Sequence, residues 1–229
     1  MNVGVLWPGR RCDLCGALIV TTAVVTPHGG AFCTSHTDLP HCYHCGAPHR
    51  RPGRFCHECS KTAINTQDQL RVALPPIRAQ LIQMGIWLNP PVHVQLVDEA
   101  WMKAMNPHES GMVGGLTQFH GQQVREVYIV AGMPALEFGS TVVHEVMHAW
   151  LAQNGVPQDD ARIAEGLCQV VSYRWLRDQP GPLAAFVREK IERDPDPIYG
   201  DGFRMVRESV RRHGMNQVIA AIKSTGRLP

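Results

Sequence analysis

The sequence predicts an α+β protein in two parts. A small cysteine-rich zinc-binding module occupies residues 1–60, and a mixed helix-and-strand domain occupies residues 61–229. Three observations carry this. Seven of the eight cysteines lie between Cys12 and Cys59, six of them in pairs with two residues between their members and Cys33 at the same spacing from His36. Two β-branched runs, VHVQLV (92–97) and VREVYIV (124–130), alternate as half-buried strands do. The stretches following His144 and Asp160 carry apolar residues at helical spacing.

Composition bounds the function classes. A hydrophobic fraction of 44% with 18% charged residues is that of a globular chain. A net charge of +2 demands neither nucleic acid nor an anionic membrane as partner, so neither is expected. The apolar run at 17–25, ALIVTTAVV, is too short to cross a bilayer and reads as a strand. The opening residues lack a charged segment followed by a long apolar core, which leads to the expectation of a cytoplasmic protein.

The zinc module is written in four knuckles: Cys12/Cys15, Cys33/His36, Cys42/Cys45 and Cys56/Cys59. A gap of two residues lets one tight turn present two ligands to one ion. Eight ligands suffice for two tetrahedral structural zincs, the first held by three cysteines and a histidine, the second by four cysteines. Gly16 and Gly46 follow two of the knuckles, where the turn needs positive φ. A segment this small buries little apolar surface, so zinc must supply its folding energy. Most of His28, His41, His44, His49 and His57 read as surface residues, and one of them could replace an assigned ligand. Arg10, Arg11, Arg50, Arg51 and Arg54 make the segment basic, but no recognition helix accompanies them.

Residues 60–74 are polar and mixed, a connecting helix at best. Pro75-Pro76 then opens an amphipathic helix with proline in its first turn, ended by Asn89-Pro90-Pro91. Residues 106–115 are turn-rich and read as a loop. LTQFH and VREVYIV, on either side of Gly121, read as two strands of a hairpin.

The chemistry is concentrated in HEVMH at 144–148. On a helix, His144 and His148 lie one turn apart on one face and can bind one ion. Glu145 lies beside that face, placed to hold a water and take its proton. The motif alone is weak, because a helix histidine is often a satisfied core or surface residue. Glu165, on the next helix, supplies a third ligand if the two helices turn back on each other, and leaves a coordination position open. The same glutamate also fits a carboxylate favoured by a helix N-terminus. The longer HExxHxxGxxH motif is excluded by Leu151 and Asn154. Tyr199, in a glycine-flanked YGDG turn, Tyr173 and His213 are candidate donors to a developing oxyanion. Gln169, one turn after Glu165, is placed to orient it. Cys168 reads as a buried thiol. Residues 206–214 carry three arginines and read as a solvated helix face.

The order of these parts carries a family resemblance. Seventeen residues separate Cys15 from Cys33, as in a LIM domain, although only ten separate Cys45 from Cys56. LIM-like fingers followed by VVHEVMHAWL, AEGLCQVVSYRWL and IYGDGFR resemble the DA-one family, whose plant members are LIM-containing, ubiquitin-activated peptidases. The resemblance implies a zincin-like metallopeptidase domain of the gluzincin type. His144, His148 and Glu165 would hold one catalytic zinc beside two structural ones, with Glu145 as base. It also implies a protein or peptide substrate, lying along a sheet edge that either LTQFH or VREVYIV supplies. A further protein partner would dock on the LIM-like module. Ubiquitin stays open as a partner, since eleven residues precede Cys12 and the ubiquitin-interacting helices of the plant members are expected to be missing. The competing reading is a non-catalytic adaptor that binds a partner through its fingers and carries a vestigial peptidase domain.

Overall fold

The computed structural model describes residues 9–20, 22–107, 113–121 and 123–229. In chain order the elements are β1 (Ala23–Val25), β2 (Ala31–Cys33), α1 (His57–Ser60), β3 (Ala63–Ile64), α2 (Gln67–Gln83), β4 (His93–Val97) and α3 (Glu99–Met105). They continue as β5 (Gly115–His120), β6 (Gln123–Val130), β7 (Met133–Pro134), α4 (Ala135–Gln153), α5 (Ala161–Arg177), α6 (Pro182–Glu192), α7 (Tyr199–His213) and α8 (Met215–Thr225). The chain is α+β, with its cysteine-rich zinc-binding module at the N-terminus. No helix among the described residues is long and apolar enough to cross a membrane. The expected loop at 106–115 falls partly on residues 108–112, outside the described ones.

The zinc module has little core of its own. Cys12, Ile19, Ala23 and Ala31 form one small cluster, and Cys42, Cys45, Ala47, Cys56 and Cys59 a second. β1 and β2 pair as a short antiparallel hairpin. The main core begins at Ile64 and gathers α2, the sheet and the later helices.

The main sheet has the order β4-β6-β5, with β4 parallel and β5 antiparallel to β6. LTQFH and VREVYIV do form adjacent strands, but β6 is paired on both sides and offers no free edge. Among the described residues the edges of this sheet are β5 and β4, so VREVYIV is ruled out as a docking strand and LTQFH remains.

Helix α2 corrects the reading of residues 60–88. It starts at Gln67 rather than at Pro75, and both prolines lie inside it. Thr66 caps it, accepting a bond from the Gln69 backbone N–H, while the Gln69 side chain reaches back to the Thr66 backbone N–H. Leu70, Leu74, Ile77 and Leu81 form one buried stripe across the prolines. That stripe outweighs the two helical bonds that the prolines cannot donate.

Helix α4 buries Phe138, Val142, Val143, Val146 and Met147, so its apolar face is locked into the core and its histidines keep a fixed direction. Its partner α5 starts on the Asp160 cap, whose carboxylate accepts from the N–H groups of Arg162 and Ile163. Helices α5 and α7 meet backbone to backbone. A β-carbon on Gly166 would lie 2.4 Å from the Gly202 carbonyl oxygen, and one on Gly202 would lie 2.4 Å from the Arg162 carbonyl oxygen. The IYGDGFR segment is therefore not a glycine turn. It is the first turns of α7, and Gly202 permits close packing on α5. Gly202→Ala should cost about 2 kcal/mol net, because overpacking against backbone exceeds the ~1 kcal/mol that alanine's helix preference returns. The urea midpoint measures it; an unchanged midpoint would mean the two helices can separate freely.

Candidate metal centres and cleft

The two N-terminal ligand sets come together as the spacing predicts. Cys12, Cys15, Cys33 and His36 place one donor atom each within 4.8 Å of one another, and so do Cys42, Cys45, Cys56 and Cys59. Cys15 Sγ and Cys33 Sγ are 3.7 Å apart, and Cys45 Sγ and Cys56 Sγ are 3.6 Å apart. Tetrahedral zinc with sulfur ligands needs about 3.8 Å between sulfurs, so both sets fit it. Burial opposes ionisation of Cys12, yet N–H donors from Cys33, Cys15 and Leu14 draw its pKa down to about 6. That favours the thiolate, the form that binds metal.

The remaining histidines of the module are not all surface residues. His44 is fully buried and bonds through Nδ1 to Glu137 Oε2 at 2.7 Å. His49 is buried too. His28 is exposed, but its Nε2 lies 3.2 Å from Cys59 Sγ and so ties the first hairpin to the second ligand set.

The third cluster lies where α4 and α5 pack. His144 Nε2 is 2.9 Å from Glu165 Oε2, and His148 Nε2 is 3.4 Å from Glu165 Oε1. These three side chains are 13–19% exposed, open enough for solvent to reach them. The two helices thus bring Glu165 back onto both histidines. His148 Nδ1 bonds to Gln158 Oε1 at 2.8 Å, and Gln158 Nε2 donates back to the His148 carbonyl oxygen. Gln158 fixes the ring and leaves Nε2 for an ion. Nothing in the local sequence marked Gln158, which lies in the turn between the helices.

Cys168 also belongs to this cluster. Its Sγ and a ring nitrogen of each histidine lie within 4.8 Å of one another. It stands one turn after Glu165 on the same helix, which is the signal that reading it as an inert thiol overlooked. Burial pushes the Cys168 thiol up, so it stays neutral. A neutral thiol is a poor ligand, which leaves Glu165 the better third donor.

Burial opposes a charge on His148, and Cys168, Glu165 and Glu145 around it push its pKa up nevertheless. With Cys168 neutral, the bond to Glu165 and the charge of Glu145 are what hold it up. Burial likewise opposes the charge on Glu165, and bonds from His144 and His148 outweigh it, lowering its pKa to about 2. In the metal-free protein the Glu165 contribution to stability is present above its unfolded pKa and is lost as pH falls toward about 2. The His148 contribution is full below its unfolded value and is lost as pH rises through its raised folded value. Metal must displace the His148 proton. Zinc uptake by stripped protein should therefore release a proton at this cluster, and its affinity should rise about tenfold per pH unit through neutrality. Calorimetry in buffers of different ionisation enthalpy reads this directly; proton-free uptake would contradict it.

Glu145 is buried on the other side of His144. The Thr117 hydroxyl of β5 lies 2.8 Å from its Oε2 and 2.9 Å from its carbonyl oxygen. Gly115 leaves room for it: a β-carbon there would lie 2.6 Å from Glu145 Cγ. The edge strand thus runs directly beside the HExxH glutamate. A cavity of about 740 Å³ opens on these residues, lined by His144, Glu145, Gln169 and Tyr199 among others.

The structure divides the candidate donors. The Tyr199 ring lies 6.3 Å from the His144 ring, centre to centre, at the N-terminus of α7 rather than in a loop. Tyr173 is turned away: its hydroxyl donates to Glu192 at 2.6 Å and its ring packs on Phe203. Glu192 of α6 holds its hydroxyl and it is not among the residues lining the cavity, so the structure does not bring it to the site as an oxyanion donor. His213 ends α7 and does not line the cavity. Gln169 lines the cavity.

Comparison with known proteins gives the chain a family. The DA1-like family model, described as Protein DA1, matches residues 82–182 and 177–225. The chain belongs to the DA1-like family. Protein DA1 of Arabidopsis thaliana is 32% identical over 135 residues, covering 47% of this chain and 25% of that protein. Protein DA1-related 1 of the same plant is 31% identical over 138 residues, with the same coverage. The LIM domain-containing protein HDR3 of Oryza sativa subsp. japonica is 24% identical over 309 residues, covering 96% of this chain and 62% of that protein. The chain thus matches about a quarter of the length of the two Arabidopsis relatives. No solved structure matches.

Proposed function

We propose that this DA1-like chain is a zinc-dependent metallopeptidase with a zincin-like domain at residues 61–229 and a LIM-like module at residues 1–60. The observation that carries the reading is the meeting of His144, His148 and Glu165 beside a buried Glu145 that an edge strand holds in place. Zinc, when bound there, polarises the scissile carbonyl and acidifies the attacking water. Glu145 accepts the proton of that water as its oxygen bonds to the carbonyl carbon. It then passes the proton to the departing amine as the C–N bond breaks. Thr117 aims the Glu145 carboxylate, and Gln158 aims His148. Tyr199 is placed to donate to the developing oxyanion. β5 presents its free edge to an extended peptide, whose backbone would pair with it as an added strand.

Two structural zincs in the finger module and one catalytic zinc complete the reading. The fingers also serve as a surface for a protein partner.

The test is hydrolysis of an unfolded protein substrate by zinc-loaded protein, with cleavage sites mapped by mass spectrometry. Cleavage that a chelator abolishes and added zinc restores is the expected result. A protein with the full zinc complement that cleaves neither unfolded proteins nor peptides would leave the adaptor role instead.

A further inference from the structure

The two finger centres carry similar ligands but are shielded unequally. In the second set Cys42, Cys45, Cys56 and Cys59 are 1–6% exposed. In the first set Cys12 is buried, Cys33 is half-buried and Cys15 is exposed. The Cys12 sulfur also takes the Cys33 backbone N–H at 3.4 Å. The main domain supplies the difference. Leu183 of α6 packs on the second cysteine cluster, and Phe186 lies 3.5 Å from where a β-carbon on Gly46 would be. Lys190 of α6 donates to the Tyr43 carbonyl oxygen at 2.6 Å, and buried His44 bonds to Glu137 in the first turn of α4. Among the described residues, the core cluster of the first set draws only on residues 12–33.

Ionisation does not separate the two sets. Zinc binds cysteine as thiolate, so every finger sulfur is a nucleophile once the ion is in place. Access separates them. Arg11 donates to the Gly16 carbonyl oxygen at 2.9 Å, which puts a cation beside exposed Cys15. An open thiolate next to a cation is where a peroxide or a soft electrophile reacts first. Cys33 Sγ is 3.7 Å from Cys15 Sγ, close enough to be the second sulfur of a disulfide after a small movement of the exposed knuckle.

We propose that the first finger centre is a peroxide-sensitive site: Cys15 is oxidised first, Cys33 closes a disulfide on it, and one zinc is released while the second centre stays loaded. Hydrogen peroxide is the oxidant. The Cys15 thiolate attacks a peroxide oxygen, the O–O bond breaks, and a sulfenic acid and a hydroxide form. The Cys33 thiolate then attacks the Cys15 sulfur, the S–O bond breaks, and a second hydroxide leaves. Two thiolates have lost two electrons, and two protons from solvent turn both hydroxides into water. Cys12 and His36 alone remain, too few to keep a structural zinc. Oxidation would therefore release the first hairpin and leave the second knuckle on the main domain. None of this rests on the peptidase reading.

The experiment uses the full wild-type chain, loaded with zinc and exposed to dilute hydrogen peroxide. Native mass spectrometry follows the zinc count, and peptide mapping follows the cysteines. One finger zinc should leave about tenfold faster than the other, in step with a disulfide between Cys15 and Cys33. A brief pulse of N-ethylmaleimide in place of peroxide should alkylate Cys15 before any cysteine of the second set. Loss of both finger zincs at one rate overturns the proposal. So does first oxidation or alkylation at Cys42, Cys45, Cys56 or Cys59, or a first disulfide that leaves out Cys15 or Cys33.

Discussion

Glu145→Gln should reduce peptide hydrolysis by about 10³-fold, the scale of a lost general acid–base group, while leaving the zinc content unchanged. The amide keeps the shape of the side chain and its bond to Thr117, but it cannot take the proton of the attacking water. His144, His148 and Glu165 are untouched, so metal retention separates loss of chemistry from loss of the site. A parallel change, Thr117→Val, should lower the rate by a smaller factor of about 10–100, because the carboxylate stays but loses its aim. Full activity in Glu145→Gln would remove the assigned base and send the search to another cavity residue. The rate of cleavage of one mapped peptide, measured with zinc in excess, distinguishes these outcomes.

Cys45→Ser should remove one structural zinc and unfold the second half of the finger module. A structural zinc contributes about 10–16 kcal/mol of apparent binding free energy, far more than the few buried residues of that cluster can supply. The effect should reach the cleft. His44 would leave Glu137, and Tyr43, which lines the cavity beside Lys190 and Phe186, would move with it. Protease protection of residues 42–60 and zinc content report the first effect, and the rate of peptide cleavage reports the second. A module that stays protected with one zinc fewer would mean that packing on α6 holds it without metal.

What the sequence made legible was whatever lies within one local element. A two-residue gap fixes a zinc knuckle, and an i, i+4 spacing fixes two imidazoles on one helix face, so both finger sets and the His144–His148 pair were readable without a fold. Glu165 was readable because its helix comes after α4 across a short turn. The misses share a different cause. Tyr173 fits the right face by helical counting but is drawn to Glu192, a residue of another helix. Pro75 and Pro76 are helix breakers by local rule, yet a capped start at Thr66 and a buried stripe on both sides carry the helix through them. Gly202 is shaped by a helix crossing rather than a turn, and Gly200 by the Asp194 backbone before α7. Thr117 meets Glu145 across 28 positions and His44 meets Glu137 across 93, and no local pattern encodes such pairs.

His144, His148 and Glu165 should hold a third metal ion, separate from the fingers. Native mass spectrometry of the wild-type protein and of His148→Ala tests it most directly. Three zincs in the wild type and two in the variant is the predicted result. Two zincs in both, under conditions where the fingers are filled, would contradict it, because the cluster of His144, His148 and Glu165 would then hold no ion.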